Sequence, residues 1–350
     1  MNICIFLNTP AQVHFYKNIV KKFELRGHKV TILAREYGDT LKLLNEMGIK
    51  YTRFNFMSNS AIKTVASFPV DLFNIYRILL NKKIDFMVGF GMYDVFVAKM
   101  LHSKSIVFFD SEPKINSMMN LQYKTFMPFV NTFISPTSFR QDLGKKHIKV
   151  DSYEELSYLH PRYFKPDISI YDLLKIPSSE DYVVLRFNSF DALHDVTAAG
   201  FLLEEKIDLA KTLSKYAHVF ISFEGKVPKE IEEYQLKTPK TRIHDLLYFS
   251  KLLVTDTQTM ATEAAILGTP VIRKNKFVGK GDMGNFIDLE NKYKLIYNLT
   301  DFNKVKDLAV EILTDKSIKT VWKERREKLL NDKIDIVDFM VNLIENYDSK

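Results

Sequence analysis

The chain has 350 residues, of which 46% are hydrophobic and 27% are charged, and this suits a globular protein with two ordinary domains. Its single cysteine, Cys4, excludes an internal disulfide framework, and we expect it to be a small core residue in a reducing compartment. The net charge of +7 favours anionic partners, but the lysines are spread along the chain, so we expect no specific nucleic-acid partner.

The sequence predicts neither a membrane span nor a metal site. No run approaches the ~20 apolar residues that cross a bilayer, and no charged leader precedes the first apolar run. No thiol cluster suggests zinc. We therefore expect a cytoplasmic protein that has no transmembrane anchor and binds no metal.

The first half of the chain alternates predicted strands and helices. Apolar residues 1–7 predict a strand, 11–25 a helix that Gly27 ends, and 29–34 a second strand, which together form a parallel βαβ unit. No G-x-G-x-x-G pattern follows the first strand, so we exclude a dinucleotide site of that type.

Residues 65–80 form a longer apolar stretch with helical spacing, followed by Lys82 and Lys83. One interpretation is a helix packed on a sheet. The other is a basic amphipathic helix on a membrane surface, which would place the protein at the periphery of the inner face of the membrane.

Two acidic residues, Asp110 and Glu112, follow the predicted strand 105–109. Carboxylates at the carboxyl end of a buried strand are well placed for acid–base chemistry. We expect Glu112 to be the general base and Asp110 its support or rival. The alternative is that both are turn and cap residues before a helix that begins near Asn116.

Prolines 161, 166 and 177 interrupt the periodicity and predict the crossover between two domains. We predict an N-terminal domain over 1–165 and a C-terminal domain over 166–333. A terminal helix over 334–350 is predicted to return to the first domain.

The second domain begins with a strand that ends at Arg186, whose guanidinium can bind phosphate through two hydrogen bonds. A polar loop with Ser189, Asp191 and His194 follows, and it either faces a ligand or is surface. Further along, Arg273, Lys274 and residues 279–285 predict a flexible basic loop, which either closes over a phosphate or is a mobile surface turn.

The most informative stretch is 252–272, which predicts strand, polar turn, helix, glycine stop and strand. Asp256 and Thr257 are predicted N-cap residues, and the turn directs free N–H groups and the positive end of the helix dipole to the sheet edge. This is a potential anion site, with Glu263 one turn into the helix to accept bonds from a diol. The alternative is that the cap and Glu263 only stabilise the helix.

Residues 244–272 resemble the nucleotide-binding block of GT-B-type sugar-nucleotide enzymes, through the turn 257–259 and the E-A-A-x-x-G-x-P pattern of Glu263, Gly268 and Pro270. The similar families are UDP-N-acetylglucosamine 2-epimerases and the glycosyltransferase that adds N-acetylglucosamine to an undecaprenyl-linked precursor. The whole chain resembles a mainly archaeal family of predicted GT-B fold, through PAQVHF at 10–15 and LSYLHP at 156–161.

The resemblance implies an α/β fold in which two Rossmann-like domains, each with a doubly wound, mainly parallel sheet, face each other across a cleft. It implies a glycosyltransferase that uses a nucleotide sugar, most simply a UDP sugar, without cofactor or metal. The resemblance leaves the identity of the acceptor open, and the candidates include lipid-linked and cell-envelope glycans. The alternatives are a UDP-N-acetylhexosamine 2-epimerase and a non-catalytic nucleotide- or nucleic-acid-binding protein.

Residues and resemblance together predict the following sites. Those for the nucleotide sugar are Asn8, Gln12, Arg186, His244, Asp256, Thr257, Gln258, Thr259 and Glu263. Those for catalysis are Glu112, His14 and Asp110. Lys226 is a further candidate contact for the base, and Tyr158 and His160 line the cleft or hold the hinge. In the similar epimerases a histidine–arginine pair occupies the place where Arg186 is followed by Phe187 here, which counts against epimerase chemistry.

Overall fold

The computed structural model describes residues 1–55, 61–112, 117–188, 200–223, 227–279 and 281–347. The chain forms two compact units. The first consists of Met1–Tyr158 and Lys333–Lys350, and the second of Leu159–Asp332.

The first unit contains a seven-stranded sheet in the order β3-β2-β1-β4-β5-β6-β7, and its neighbouring strands pair in parallel. The strands are β1 (Asn2–Leu7), β2 (Lys29–Arg35), β3 (Thr52–Asn55), β4 (Phe86–Gly89), β5 (Lys104–Phe108), β6 (Thr132–Pro136) and β7 (His147–Val150). The helices between and after them are α1 (Pro10–Leu25), α2 (Thr40–Glu46), α3 (Ala61–Leu79), α4 (Tyr93–Leu101), α5 (Ser117–Phe126) and α6 (Leu156–Leu159).

The order of the first sheet reverses beside β1, because β2 and β3 lie on one side of it and β4 begins the other side. In open α/β sheets ligands bind outside the carboxyl ends of the strands at such a reversal. Asn8 follows β1 directly, and Gly91 lies in the turn after β4. Cys4 is fully buried in β1, as expected of a small core residue.

The second unit contains a five-stranded sheet in the order β12-β11-β10-β8-β9, again with parallel pairs. Its strands are β8 (Tyr182–Phe187), β9 (His218–Phe223), β10 (Leu252–Thr255), β11 (Val271–Lys274) and β12 (Ile296–Leu299). Its helices are α7 (Ile170–Leu174), α8 (Leu203–Leu213), α9 (Ile243–Phe249), α10 (Thr259–Leu267), α11 (Gly284–Asn291), α12 (Phe302–Thr314) and α13 (Ile318–Asp332). Here the strand order reverses between β8 and β10.

A last helix, α14 (Ile336–Glu345), belongs to the first unit, where it packs against α1. One face of α14 is buried, including Met340 and Ile344. At the edge of this contact Glu345 pairs with Arg26 and His28, and Asp338 pairs with Lys22.

Helix α3 lies on the sheet of the first unit through Ile75 and Leu79, which are fully buried, and this confirms a helix packed on a sheet. Among the residues with described positions, none of the helices is both long enough and apolar enough to cross a membrane.

These two α/β units with parallel sheets confirm the predicted fold class. The prediction of a flexible basic loop after β11 is wrong for its described cations. Arg273 and Lys274 belong to β11 and are buried, where Arg273 pairs with Asp282 at 2.8 Å and Lys274 with Glu205 at 2.8 Å. Both positive charges are therefore paired with carboxylates inside the second unit.

Candidate functional site

The turn from β10 to α10 lies where the strand order of the second sheet reverses, because β10 pairs directly with β8. Thr255, the last residue of β10, is opposite Arg186 of β8. The first N–H groups of a helix lack partners within the helix, and no side chain caps α10. Unpaired N–H groups and the helix dipole generally favour an anionic group at a helix N-terminus.

Internal hydrogen bonds fix the shape of this turn. The buried Thr255 hydroxyl accepts a bond from the Thr257 N–H at 2.9 Å and lies 2.8 Å from the Thr257 hydroxyl. Thr257 and Gln258 are half-buried, and Thr259 is exposed. The polar groups of residues 257–259 are therefore accessible to a ligand, whereas Thr255 holds the turn from below.

The prediction that Asp256 or Thr257 caps α10 is wrong, because Gln258 occupies the N-cap position. The Asp256 carboxylate is buried and accepts bonds from the N–H groups of Asn188 at 2.9 Å and Phe201 at 3.4 Å. Burial raises the pKa of Asp256, and the N–H groups and Lys206 oppose this rise. Asp256 thus holds together the chain on both sides of residues 189–199.

Glu263 and His244 form a buried pair in which His244 Nε2 lies 3.0 Å from Glu263 Oε1. His244 lies in the first turn of α9, which packs against α10, and the Phe164 and His244 rings are nearly perpendicular with centroids 6.1 Å apart. The structure thus brings together two predicted residues that are 19 positions apart. His244 fixes the Glu263 side chain one turn beyond Thr259.

Arg186 is half-buried near the end of β8, and its guanidinium donates a bond to the Ser222 hydroxyl of β9 at 3.1 Å. This bond orients the guanidinium at the carboxyl end of the strand.

The two predicted carboxylates of the first unit have different environments. Glu112 is buried, accepts a bond from the Arg140 N–H at 3.3 Å and pairs with the Arg140 guanidinium at 3.6 Å. Asp110 is half-buried and accepts a bond from the Ser111 hydroxyl at 2.9 Å. Burial raises the pKa of Asp110, and the charge of Glu112 raises it further.

The remaining predicted residues of the first unit are near the start of α1. The Asn8 N–H donates to Gln12 Oε1 at 2.6 Å, and the Thr9 hydroxyl caps the helix by accepting from the Gln12 N–H. The His14 ring packs on the buried Tyr158 ring, with centroids 5.2 Å apart. In the second unit, the side chain of His160 is half-buried and accepts a bond from the Arg162 N–H.

Some predictions concern residues outside the described ranges, namely Ser189, Asp191, His194, Lys226 and the helix start near Asn116. The burial of two lysines, Lys206 and Lys274, was not predicted from the sequence. Lys206 lies over the rings of Phe187 and Phe223 at 5.4 and 5.0 Å, and Lys274 donates to Glu205 at 2.8 Å. Lys206 is in a charged helical stretch that predicts exposure, so only the fold reveals its burial.

In the described part of the chain, no group of three or more histidine, cysteine, aspartate or glutamate side chains is arranged to hold a metal ion.

Two doubly wound α/β units in one chain are the architecture of the GT-B class, and the chain shares its fold with solved glycosyltransferases and UDP-N-acetylglucosamine 2-epimerases. Within this class, the chain belongs to the family described as protein of unknown function (DUF354), whose model matches residues 1–348. No curated protein matches the sequence.

Three solved structures illustrate the shared fold. The UDP-GlcNAc 2-epimerase from Methanocaldococcus jannaschii is 14% identical with a TM-score of 0.66, over 90% of this chain and 94% of that one. S. aureus MnaA, in a structure with UDP, is 11% identical with a TM-score of 0.71, over 99% of this chain and 97% of that one. The glycosyltransferase VinC, in complex with dTDP, is 10% identical with a TM-score of 0.65, over 100% of both chains.

Proposed function

We propose that this protein is a glycosyltransferase that binds a nucleotide sugar, most simply a UDP sugar, at the β10–α10 turn. The observation that carries the proposal is an α-helix without a side-chain cap, which begins where the strand order of the second sheet reverses. Two of the structures with this fold contain UDP or dTDP, which supports a nucleotide ligand.

In this proposal the diphosphate accepts hydrogen bonds from the turn N–H groups and from the hydroxyls of Thr257 and Thr259. The helix dipole and Arg186 stabilise the negative charge of the departing diphosphate, so that no metal is required. Gln258 lies in the same turn, and the buried Asp256 shapes the turn without contacting phosphate.

Glu263 is proposed to accept bonds from the ribose hydroxyls, held in position by His244. A carboxylate accepts such bonds more strongly than a neutral group does. In the first unit, Asp110 is proposed to take the proton from the acceptor hydroxyl, because its raised pKa suits a base better than that of an ordinary aspartate. Glu112 and His14 are the alternatives, and Asn8 and Gln12 are proposed to contact the substrate.

The test is titration calorimetry of the full chain with UDP, UDP-GlcNAc and other nucleotide sugars. We expect Glu263→Gln and Glu263→Ala to weaken binding by roughly tenfold to a hundredfold, the range for a lost hydrogen bond to a charged group. Glu263→Gln keeps a hydrogen-bonding partner for His244 and therefore separates the loss of charge from disturbed packing. Glu311→Ala, at an exposed position of α12, is the control that should bind like wild type. If the folded wild-type protein binds no nucleotide, the proposal is wrong.

The main alternative is a UDP-N-acetylhexosamine 2-epimerase, since structures of that name share the fold. Incubation with UDP-GlcNAc in the absence of an acceptor separates the two activities. Conversion to the C2 epimer would identify an isomerase, whereas a bound but unchanged nucleotide sugar favours transfer. For a non-catalytic nucleic-acid-binding protein, we would instead expect a gel shift that persists at moderate salt.

A further inference from the structure

Helix α3 has two faces with different surroundings. One face packs on the first unit's core, where Ile75 and Leu79 are fully buried and the Phe68 ring contacts Tyr93 at 4.9 Å. The opposite face carries Val70 and Phe73, and Leu80 follows directly after the helix. These three side chains are 60%, 55% and 50% exposed.

The exposed apolar side chains form one stripe. At about 100° per residue, positions 70, 73, 77 and 80 fall within an arc of about 80°. Single exposed apolar residues are normal on a protein surface, but several aligned along a helix mark an interaction site.

The stripe is accompanied by positive charge. The Arg77 guanidinium lies 6.0 Å from the centre of the Phe73 ring, and Lys82 and Lys83 follow the helix and are exposed. The Asn2 amide donates to the carbonyls of Lys82 and Lys83 at 3.2 and 2.9 Å, so their backbone is fixed to the start of β1.

The described stretch 67–83 has a single carboxylate, Asp71, and the next one, the exposed Asp85, accepts a bond from the Asn2 N–H at 2.7 Å. Asp71 is buried and accepts bonds from the Ser67 hydroxyl at 3.2 Å and the Tyr93 hydroxyl at 3.4 Å. Helix α3 and the residues that follow it therefore combine exposed apolar side chains with three exposed cations, which is complementary to a layer of anionic headgroups above acyl chains.

We propose that the α3 surface, defined as Val70, Phe73, Arg77, Leu80, Lys82 and Lys83, docks the protein on the anionic lipid headgroups of a bilayer. Phe73, Val70 and Leu80 enter the boundary between headgroups and acyl chains, and the three cations contact lipid phosphates. The helix lies parallel to the membrane plane, because its opposite face remains packed on the first unit.

The experiment is co-sedimentation of the full chain with phosphatidylcholine vesicles that contain either no anionic lipid or an equal part of phosphatidylglycerol. We expect binding to the anionic vesicles only, and weaker binding as salt is raised. Phe73→Ser should lower the partition coefficient about tenfold. Lys82→Ala with Lys83→Ala should lower it roughly twenty-five-fold, at about fivefold for each cation.

The matched control is Leu25→Ser. Leu25 ends α1 in the same unit and is 77% exposed, but the adjacent cations Lys22 and Arg26 pair with Asp338 and Glu345. This variant should bind vesicles like wild type. All changed side chains are exposed, and unchanged thermal unfolding will verify that each variant folds.

The proposal is overturned if wild type does not sediment with anionic vesicles at low salt, or if Phe73→Ser binds as strongly as wild type. It is also overturned if Phe73→Ser only converts a dimer to a monomer in size-exclusion chromatography, since the partner would then be a second copy of the chain. Calorimetry with UDP on the same samples distinguishes this proposal from the nucleotide site, because either result can fail while the other holds.

Discussion

Replacing Asp282 by alanine is expected to destabilise the second unit by roughly 3 to 5 kcal/mol, the cost of removing one partner from a buried ion pair. The Arg273 guanidinium is fully buried and donates to both Asp282 oxygens at 2.9 and 2.8 Å. It also stacks on the Phe286 ring at 3.6 Å. Burial lowers the pKa of Arg273 and raises that of Asp282, and the charge of each residue opposes this effect on the other. Each side chain therefore needs its partner to stay charged.

The free energy of unfolding can be measured in denaturant by the fluorescence of Trp322, the single tryptophan, which is buried in the second unit. Asp208→Ala is the control, because it removes the partner of Lys306 at the surface and should cost less than ~1 kcal/mol. Adding Arg273→Met to Asp282→Ala should recover stability, since it removes the unpaired charge. A loss no larger than that of the control would contradict this account of the pair.

Replacing Asp94 by asparagine is expected to remove a large pH dependence from the stability of the first unit. Asp94 is fully buried, and Oδ2 accepts a bond from the Gly91 N–H at 3.1 Å. Oδ1 has no hydrogen-bond partner among the residues whose structure is described. Burial raises the pKa of Asp94 from 3.8 to about 7, although backbone N–H groups partly oppose the rise.

The direction of this pH dependence follows from the number of protons that the folded and the unfolded protein bind. Between the ordinary pKa of 3.8 and the folded-state pKa of about 7, the folded protein keeps a proton that the unfolded chain has released. The free energy of unfolding therefore falls as pH rises through this window and stays low above it. Between about pH 5 and pH 8 the wild type should lose roughly 3 kcal/mol that the Asp94→Asn variant does not lose.

The reactivity of the Cys4 thiol in denaturant reports opening of the first unit, because Cys4 is the single cysteine and is fully buried there. Comparing variant and wild type at the same pH cancels the effect of pH on the thiol itself. Asp142→Asn, at an exposed position of this unit, should follow the wild-type profile. Parallel profiles for Asp94→Asn and wild type would show that Asp94 does not titrate in this window.

The sequence allowed prediction of the architecture because apolar runs, helical spacing and glycine stops are local signals. Gly268 ends α10 with a φ of +84°, as its place before Pro270 predicts. The strand, turn and helix around residues 257–259 followed from the same signals. The order of strands within each sheet has no local signal, although it sets the position of the β10–α10 turn.

The partners of polar side chains could not be predicted, because they are far apart in sequence. Aspartate is a residue type that commonly caps helices, yet the Asp256 carboxylate accepts bonds from the N–H groups of Asn188 and Phe201, which are 68 and 55 positions away. The burial of Asp94 depends on the close approach of Gly89, where a Cβ atom would lie 2.8 Å from the carboxyl group.

The position of α14 has a consequence for how the protein is made on the ribosome. The first unit needs both the first and the last part of the chain, because α14 covers α1 with a buried apolar face. The second unit, by contrast, is continuous from Leu159 to Asp332. During synthesis the second unit can thus complete its core while the first still exposes the apolar side of α1, which makes the nascent N-terminal segment the part that most needs a chaperone.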